Sequence, residues 1–324
     1  MNLLSSIFGV GVRMRNSLYD RGTARAQSLQ GPVVSVGNLS VGGSGKTPFV
    51  LLLGELLTAK GVKFDILSRG YGRAMRGVAR VDPGGSSRDF GDEPLLLARR
   101  LRVPVIVGED RYEAGLFAEK QFGPQLHLLD DGFQHRALAR DFDIVLVTPE
   151  DARDRLLPAG RLREPAASLS RADAIVLTSG ASPEVVPLNG KLVWRVRRGI
   201  SLTNVPVRPV AFCGIARPQN FLLQLRTAGV EPVAQALYRD HHAYTERDIQ
   251  DLLRLRQQSE AESFITTEKD AINLAGFLSA LQPLAVVPVK MELVDAASAV
   301  DTMLRIVTER RSRREKIGAE ISGR

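Results

Sequence analysis

Short runs of aliphatic and β-branched residues recur along the first half of the chain, at 33–38, 63–68, 103–108, 125–129, 142–148 and 174–178. Between several of them, at 48–60, 95–101 and 110–122, apolar residues return at helical spacing. Runs that are apolar along their whole length suit strands buried on both faces, so this alternation predicts a mostly parallel sheet covered by helices on both sides. Local punctuation agrees: Gly61 fits a helix C-cap, and Asp110 and the acids of Gly91-Asp92-Glu93-Pro94 fit helix starts. The stretch 78–90, with Pro, Gly and Ser, reads as loop or hairpin. From 192 to 209 the pattern breaks into short β-like pieces with Arg, Gly and Pro. A second α/β unit then follows, with strands at 210–213, 264–267 and 284–289 and helices at 220–228, 245–255 and 296–310, the middle one capped by Thr245. The charged end, through Arg324, lacks an apolar face and is expected to fray.

The first residues have their own pattern. Leu3, Leu4, Ile7, Phe8, Val10 and Met14 are apolar, and Arg13, Arg15, Arg21 and Arg25 follow, which gives a short amphipathic helix with a basic trailing end. A secretory signal would carry its charges before the apolar stretch, and no run reaches the roughly 18 apolar residues of a membrane span. Such a helix either packs on its own domain or lies in a membrane interface. The expected organisation is an N-terminal amphipathic helix (1–25), a nucleotide-binding domain (26–195), a linker (196–209) and a smaller C-terminal α/β domain (210–324).

With 324 residues, 44% hydrophobic and 25% charged, the chain has the make-up of a globular protein with a substantial core. A single cysteine, Cys213, excludes an internal disulfide and a multi-cysteine metal cluster, and its apolar surroundings make it a core residue. The net charge of +8 implies an acidic partner such as nucleotide or anionic membrane. Nucleic acid is disfavoured, because only 6% of residues are aromatic and basic clusters lack rings for stacking.

Candidate chemistry begins at 33–48, VVSVGNLSVGGSGKTP. A buried strand, a glycine-rich turn and a helix start aim backbone N–H groups and the positive end of a helix dipole at one point, which suits a phosphate chain. The residues of this turn are Ser40, Val41, Gly42, Gly43, Ser44, Gly45, Lys46 and Thr47, with Lys46 placed for the β- and γ-phosphates and the Thr47 hydroxyl for Mg²⁺. The P-loop pattern has glycine where this chain has Ser40. A second site is Asp130-Asp131 at the end of a predicted strand, where carboxylates of phosphate-transferring enzymes hold or orient Mg²⁺. Adjacent acids on an extended strand end point to opposite sides, so one can face metal and the other substrate. The loops carrying Arg69 and Arg73, and 157–165 with Arg161 and Arg163, are basic enough to contact phosphate. His241 and His242 precede the Thr245 helix, and Thr266-Thr267-Glu268-Lys269-Asp270 closes a strand where it could meet base or ribose.

Taken in order, VGNLSVGGSGKTP, SRGYGR, GDEP, DDGFQH, LPAGRLRE, DHH and TTEKD make the chain resemble the tetraacyldisaccharide 4′-kinase family over nearly its whole length. In that family Ser is common at the position of Ser40. The resemblance implies a P-loop kinase domain, ATP and Mg²⁺, and transfer of the γ-phosphoryl group to the 4′-hydroxyl of an acylated disaccharide 1-phosphate, a step of lipid A biosynthesis. It implies a peripheral protein on the anionic, cytoplasmic face of the bacterial inner membrane, with no obligate protein partner. It also implies an Asp92–His241 dyad that activates the sugar hydroxyl, with His241 preferred over His242, and Glu164 as a further metal carboxylate. With these, Asp131 joins the catalytic group, and Thr47 and Asp130 the metal group. The competing reading is a P-loop ATPase or GTPase that switches or delivers a metal. Such dimeric ATPases usually carry Lys just before the paired glycines, where this chain has Val41.

Overall fold

The computed structural model describes residues 3–151, 153–178, 181, 190–200, 202 and 205–322. The helix α1 (Leu3–Asp20) precedes a nine-stranded sheet. Its strands, in chain order, are β1 (Val33–Asn38), β2 (Phe64–Ser68), β3 (Ala79–Arg80), β4 (Val105–Val107), β5 (Leu126–Asp130), β6 (Phe142–Val147), β7 (Ala174–Leu177) and β8 (Leu192–Ile200). A smaller, wholly parallel sheet holds β9 (Pro209–Cys213), β10 (Ala234–Leu237), β11 (Ser263–Thr267) and β12 (Leu284–Val287), and β13 (Val289–Leu293) then completes the large one. The large sheet runs β13-β8-β7-β6-β1-β5-β2-β4-β3, parallel except for β3 and β13 at its edges.

Every residue of β1, β2, β5 and β6 is buried, so these strands are mostly apolar along their whole length, as central strands covered on both faces are, with Ser35, Asp65, His127 and Asp143 as buried polar exceptions in their interiors. One face is covered by α2 (Lys46–Ala59) and, after the short α3 (Ser87–Phe90), by α4 (Asp92–Leu101), which share a core with the sheet through Phe49, Leu53, Leu95 and Leu97. The other is covered by α5 (Arg111–Phe122), begun by the Asp110 side chain, which accepts from the Tyr112 amide at 2.8 Å. The chain runs outward from β1 to one side and later to the other, so the carboxyl end of β1 is a topological switch point, where open α/β sheets bind ligands.

In the small sheet's lobe, α6 (Pro218–Thr227), α7 (Glu246–Gln258) and α8 (Glu268–Leu274) pack around Phe212, Phe264, Leu225 and Leu252. The cap expected at Thr245 is present as a full capping box with Asp248.

Two expectations about the chain's end change. The run at 284–289 is divided between β12 and β13, and β13 pairs antiparallel with β8, so the chain returns to the large sheet. The final helix α9 (Ala296–Ser322) follows it, burying Val300, Met303 and Val307 in the first lobe's core. Residues 289–316 therefore pack with the first lobe, where the sequence pattern assigns them to the second. The helix also continues well beyond 310, because its basic side chains have partners: Arg310 meets Asp173 at 2.6 Å, Arg314 meets Asp141 at 2.9 Å, and Arg311 donates to the Leu29 carbonyl. The stretch 192–200 is the strand β8, where the pattern suggested broken pieces; only its alternate residues are buried, as befits a strand near an edge.

Candidate active site

The glycine turn folds as its sequence requires. Gly42, Gly43 and Gly45 have φ of 64°, 66° and 87°, left-handed values that L side chains seldom adopt, and Lys46 opens α2 immediately afterwards. Basic residues of the 157–165 loop brace the turn. Arg161 donates to the carbonyls of Val41 and Gly42 at 2.9 and 3.1 Å, and its own carbonyl accepts from the Val41 amide. Ser40 and Thr47 are buried, and the Lys46 ammonium lies 2.9 Å from Asn38 Oδ1 and 3.4 Å from Asp131 Oδ1.

The two adjacent acids are divided by backbone geometry. Asp130 ends β5 and is buried, with one oxygen accepting from the Ser68 hydroxyl at 3.0 Å and the other without a partner. Asp131 takes a left-handed backbone with φ of 52° and turns to Arg163, which grips both its oxygens at 2.7 and 2.9 Å. Burial, with the charges of Glu93 and Asp131 beside it, pushes the Asp130 carboxyl up to about 7. Burial acts on Asp131 too, but Lys46 and Arg163 outweigh it and hold that carboxyl well below the usual range.

Across the cleft stands the pair that the resemblance names. His241 Nδ1 is 2.8 Å from Asp92 Oδ2, although 149 residues separate them in sequence and each lobe supplies one member. Asp92 is at the start of α4, and its other oxygen accepts from the Glu93 amide. His241 holds a left-handed backbone with φ of 56°, and its amide donates to the Gly214 carbonyl at 3.1 Å. Burial pushes the Asp92 carboxyl up, but the hydrogen bond with His241 and the charge of Lys269 outweigh it and hold it at about 2. The same hydrogen bond raises the His241 imidazole above its ordinary value, against burial and Lys269. His242 instead stacks on Tyr238 with ring centroids 4.5 Å apart and meets Asp248 at 3.1 Å, away from Asp92.

One cleft, with about 900 Å³ of open space, is lined by the glycine turn, Lys46 and Thr47 from the first lobe and by Asp240, His241 and Lys269 from the second. Of three lining residues, Arg217, Glu93 and Lys269, only Arg217 lies outside the motifs read from the sequence. Arg217 lays its side chain on Gly43, so close that a Cβ there would meet Arg217 Cγ at 2.7 Å. Glu93 and Lys269 pair at 3.0 Å across the lobes. Adjacency to Asp92 in GDEP and membership of TTEKD were the only hints for the last two.

Glu164 does not belong to this group. It is fully buried, and its carboxylate is taken by Asn16 at 2.8 Å, Arg171 at 3.0 Å and Arg15 at 3.3 Å, so it ties α1 to the first lobe where a metal role was expected. Arg73 donates through one terminal nitrogen to the Gly77 carbonyl of its own loop, and its other terminal nitrogen has no partner among the described residues.

The donors present suit Mg²⁺. Asp130 offers a buried, unpartnered oxygen beside like charges that a cation would relieve, and Thr47 offers a hydroxyl at the turn. Among the described residues no three His, Cys, Asp or Glu side chains converge as a metal site, which fits an ion that takes its remaining ligands from phosphate and water.

Comparison with known proteins gives a consistent result. The family model for tetraacyldisaccharide-1-P 4′-kinase matches residues 1–308. A tetraacyldisaccharide 4′-kinase from Koribacter versatilis is 51% identical, with 96% of this chain and 99% of that protein covered. One from Geobacter metallireducens is 37% identical over 93% and 97%. Among solved structures, the "apo" form LpxK from Aquifex aeolicus in complex with ATP superposes with a TM-score of 0.77 at 35% identity, covering 94% of this chain and 97% of that one.

Proposed function

This chain belongs to the tetraacyldisaccharide-1-P 4′-kinase family, and from that premise we propose how its own residues carry the reaction. The enzyme transfers the γ-phosphoryl group of ATP to the 4′-hydroxyl of a tetraacyldisaccharide 1-phosphate, in lipid A biosynthesis, with ATP and Mg²⁺. The observation that carries the residue assignment is that His241 lines the same cleft as the glycine turn while its Nδ1 is held by Asp92 behind it.

Phosphoryl transfer asks for alignment and charge neutralisation more than covalent chemistry. Lys46 and the turn's amides hold the β- and γ-phosphates, and Arg217 and Lys269 add positive charge from the other lobe. With Nδ1–H donated to Asp92, His241 keeps Nε2 as the accepting nitrogen, and Asp92 fixes the tautomer and steadies the imidazolium that forms. The sugar oxygen then bonds to the γ-phosphorus as the bond from that phosphorus to the β–γ bridging oxygen breaks. The hydroxyl proton passes to His241 Nε2, and ADP leaves with the bridging oxygen. Asp131 holds Lys46 and Arg163 in place beside the phosphates. Thr47 and Asp130 would hold Mg²⁺, which when bound neutralises phosphate charge.

The N-terminal helix supports a membrane-surface enzyme on the inner, cytoplasmic leaflet. Leu3, Leu4, Ile7, Val10 and Met14 are all exposed on α1, and no helix among the described residues is long and apolar enough to cross a membrane. An acylated substrate stays in the bilayer, and a basic protein with an exposed apolar helix can meet it there.

The test incubates purified protein with γ-labelled ATP and the disaccharide 1-phosphate lipid in detergent. Label entering the lipid is expected, and its loss on Asp92→Ala with ATP binding retained supports the dyad. Hydrolysis of ATP without labelled lipid would overturn the reading. Flotation with anionic vesicles tests the surface role, with Ile7→Asp expected to weaken capture.

A further inference from the structure

The Thr266-Thr267-Glu268-Lys269-Asp270 turn lends Lys269 to the phosphate cleft and leaves Asp270 without a role there. Its last two residues work in opposite directions. Lys269 crosses to the first lobe, where its ammonium donates to Glu93 Oε1 at 3.0 Å and lies 3.9 Å from Asp92 Oδ2. Asp270 stays within the second lobe and has no exposed surface.

A carboxylate in that position is expensive unless hydrogen bonds satisfy it. Asp270 has no basic group within ion-pair distance among the described residues, and it accepts from three donors. These are the Gly214 amide at 2.7 Å, the Tyr244 hydroxyl at 2.8 Å and the Thr267 hydroxyl. Gly214 is the residue whose carbonyl receives the His241 amide. Asp270 thus reaches the catalytic imidazole's backbone through a single residue, Gly214, and the left-handed conformation of His241 has to be maintained against its intrinsic cost. The surroundings leave little slack. A Cβ on Gly214 would lie 2.8 Å from His242 Cβ and 3.0 Å from the Arg239 carbonyl, and Tyr244 packs against both Tyr238 and His242.

We propose that Asp270 is a positioning residue for phosphoryl transfer: by tying Gly214, Tyr244 and Thr267 together it fixes the loop that presents His241 to Asp92. It does not touch the cleft. The proposal rests on the assignment of Asp92 and His241 as the activating pair, and it adds what holds one of them in register. The charged groups facing His241 are Asp92 on α4, Lys269 on α8 and Asp240 on its own loop, with the Tyr71 ring 5.8 Å away. Displacement of the loop would loosen the contact with Asp92 first, since that bond alone spans the lobes by way of the imidazole.

The experiment compares Asp270→Ala, Asp270→Asn, Tyr244→Phe and His241→Ala in the lipid-labelling assay, with the His241 ring titrated by NMR in the full-length protein. Asp270→Ala is expected to lower kcat by about tenfold to a hundredfold with KM for ATP within about threefold, as displacement of a reacting group does. Its His241 midpoint is expected to move down toward that of an ordinary histidine, because the bond to Asp92 is what raises it. Asp270→Asn, which keeps an oxygen for the Gly214 amide, and Tyr244→Phe, which removes one hydroxyl, should move both readouts the same way by less. If Asp270→Ala does not fold, those two variants decide. Unchanged kcat and an unchanged midpoint, or lost activity with the midpoint unmoved, overturns the proposal. Wild-type transfer by His241→Ala would instead overturn the dyad assignment, and the titration is read without turnover.

Discussion

Two Asp–His pairs of nearly equal length in this molecule serve opposite purposes. Asp92 and His241 meet at 2.8 Å at the carboxyl ends of the large sheet's strands, and His241 keeps 32% of its side chain exposed. Asp65 and His127 meet at 3.0 Å near the other ends of β2 and β5, and both are at 0%. The second pair is closed on all sides: Glu119 takes the far nitrogen of His127 at 3.3 Å and the Gly31 amide at 2.7 Å, and a Cβ on Gly31 would lie 2.9 Å from the ring. A carboxylate beside an imidazole is therefore not by itself a proton-transfer site. One nitrogen must remain free to receive a proton from something that can enter; of these two pairs His241 satisfies this and His127 does not.

The largest expected effects follow from that contrast. Asp92→Ala or His241→Ala should cut kcat by about 10²–10⁴-fold while ATP affinity stays within a few-fold, as loss of a general base does. His127→Ala should leave kcat per folded molecule unchanged and lower stability by about 3–5 kcal/mol, because it strands the Asp65 and Glu119 carboxylates in the interior. Steady-state kinetics and urea unfolding on the same preparations measure both. A catalytic defect in folded His127→Ala would break the comparison.

The pairs should also answer pH in opposite senses. His241 is raised above 6.5 by its bond to Asp92 and must be neutral to accept a proton, so kcat/KM should climb as pH rises through its folded pKa. Asp92→Asn should shift that limb down in whatever activity remains. For His127, burial pulls the imidazole down, but Asp65 and Glu119 outweigh it and raise it above 6.5. Its contribution to stability is then full below 6.5 and lost as pH rises through the folded value. Unfolding free energies between pH 6 and 9 check the sign.

A smaller effect sharpens the lesson with a third buried charge. Glu164→Gln removes the carboxylate that holds Asn16, Arg15 and Arg171. It should loosen α1 by about 1–2 kcal/mol, read as roughly 5–30-fold faster amide exchange over residues 3–20, with ATP binding unaffected. Smallest of all is Glu268→Gln at the Arg100 pair across the lobes, expected to cost under about 1 kcal/mol in thermal unfolding.

Much of this was legible before the fold was known. The buried strands announce themselves by mostly apolar stretches with no polar face, and the glycine turn by residues that tolerate its positive φ. Asp92 and His241 are different: nothing in spacing brings together residues 149 positions apart, and only the resemblance joined them. Glu164 shows the limit of that route, since a carboxylate in a recognised motif turned out to be occupied by arginines that no local pattern reveals. The return of β13 was hidden because an edge strand with alternating burial, Val289–Leu293, looks the same whichever sheet it joins. Arg217 was hidden, and the pairing of Glu93 with Lys269 was not readable from the motifs that contain them, because these roles exist only between lobes.

The antiparallel pairing of Val196–Ile200 with Val289–Leu293 has an architectural meaning. Ile200 and Val289 lie opposite each other, so the whole small sheet departs and re-enters through adjacent points, as an insert would at the tip of a hairpin. A tight turn joining those two residues would leave each strand of the large sheet beside its present neighbours. What a chain shortened in that way would lack is the imidazole, so the part that grasps a nucleotide and the part that deprotonates an alcohol are separate pieces of the fold.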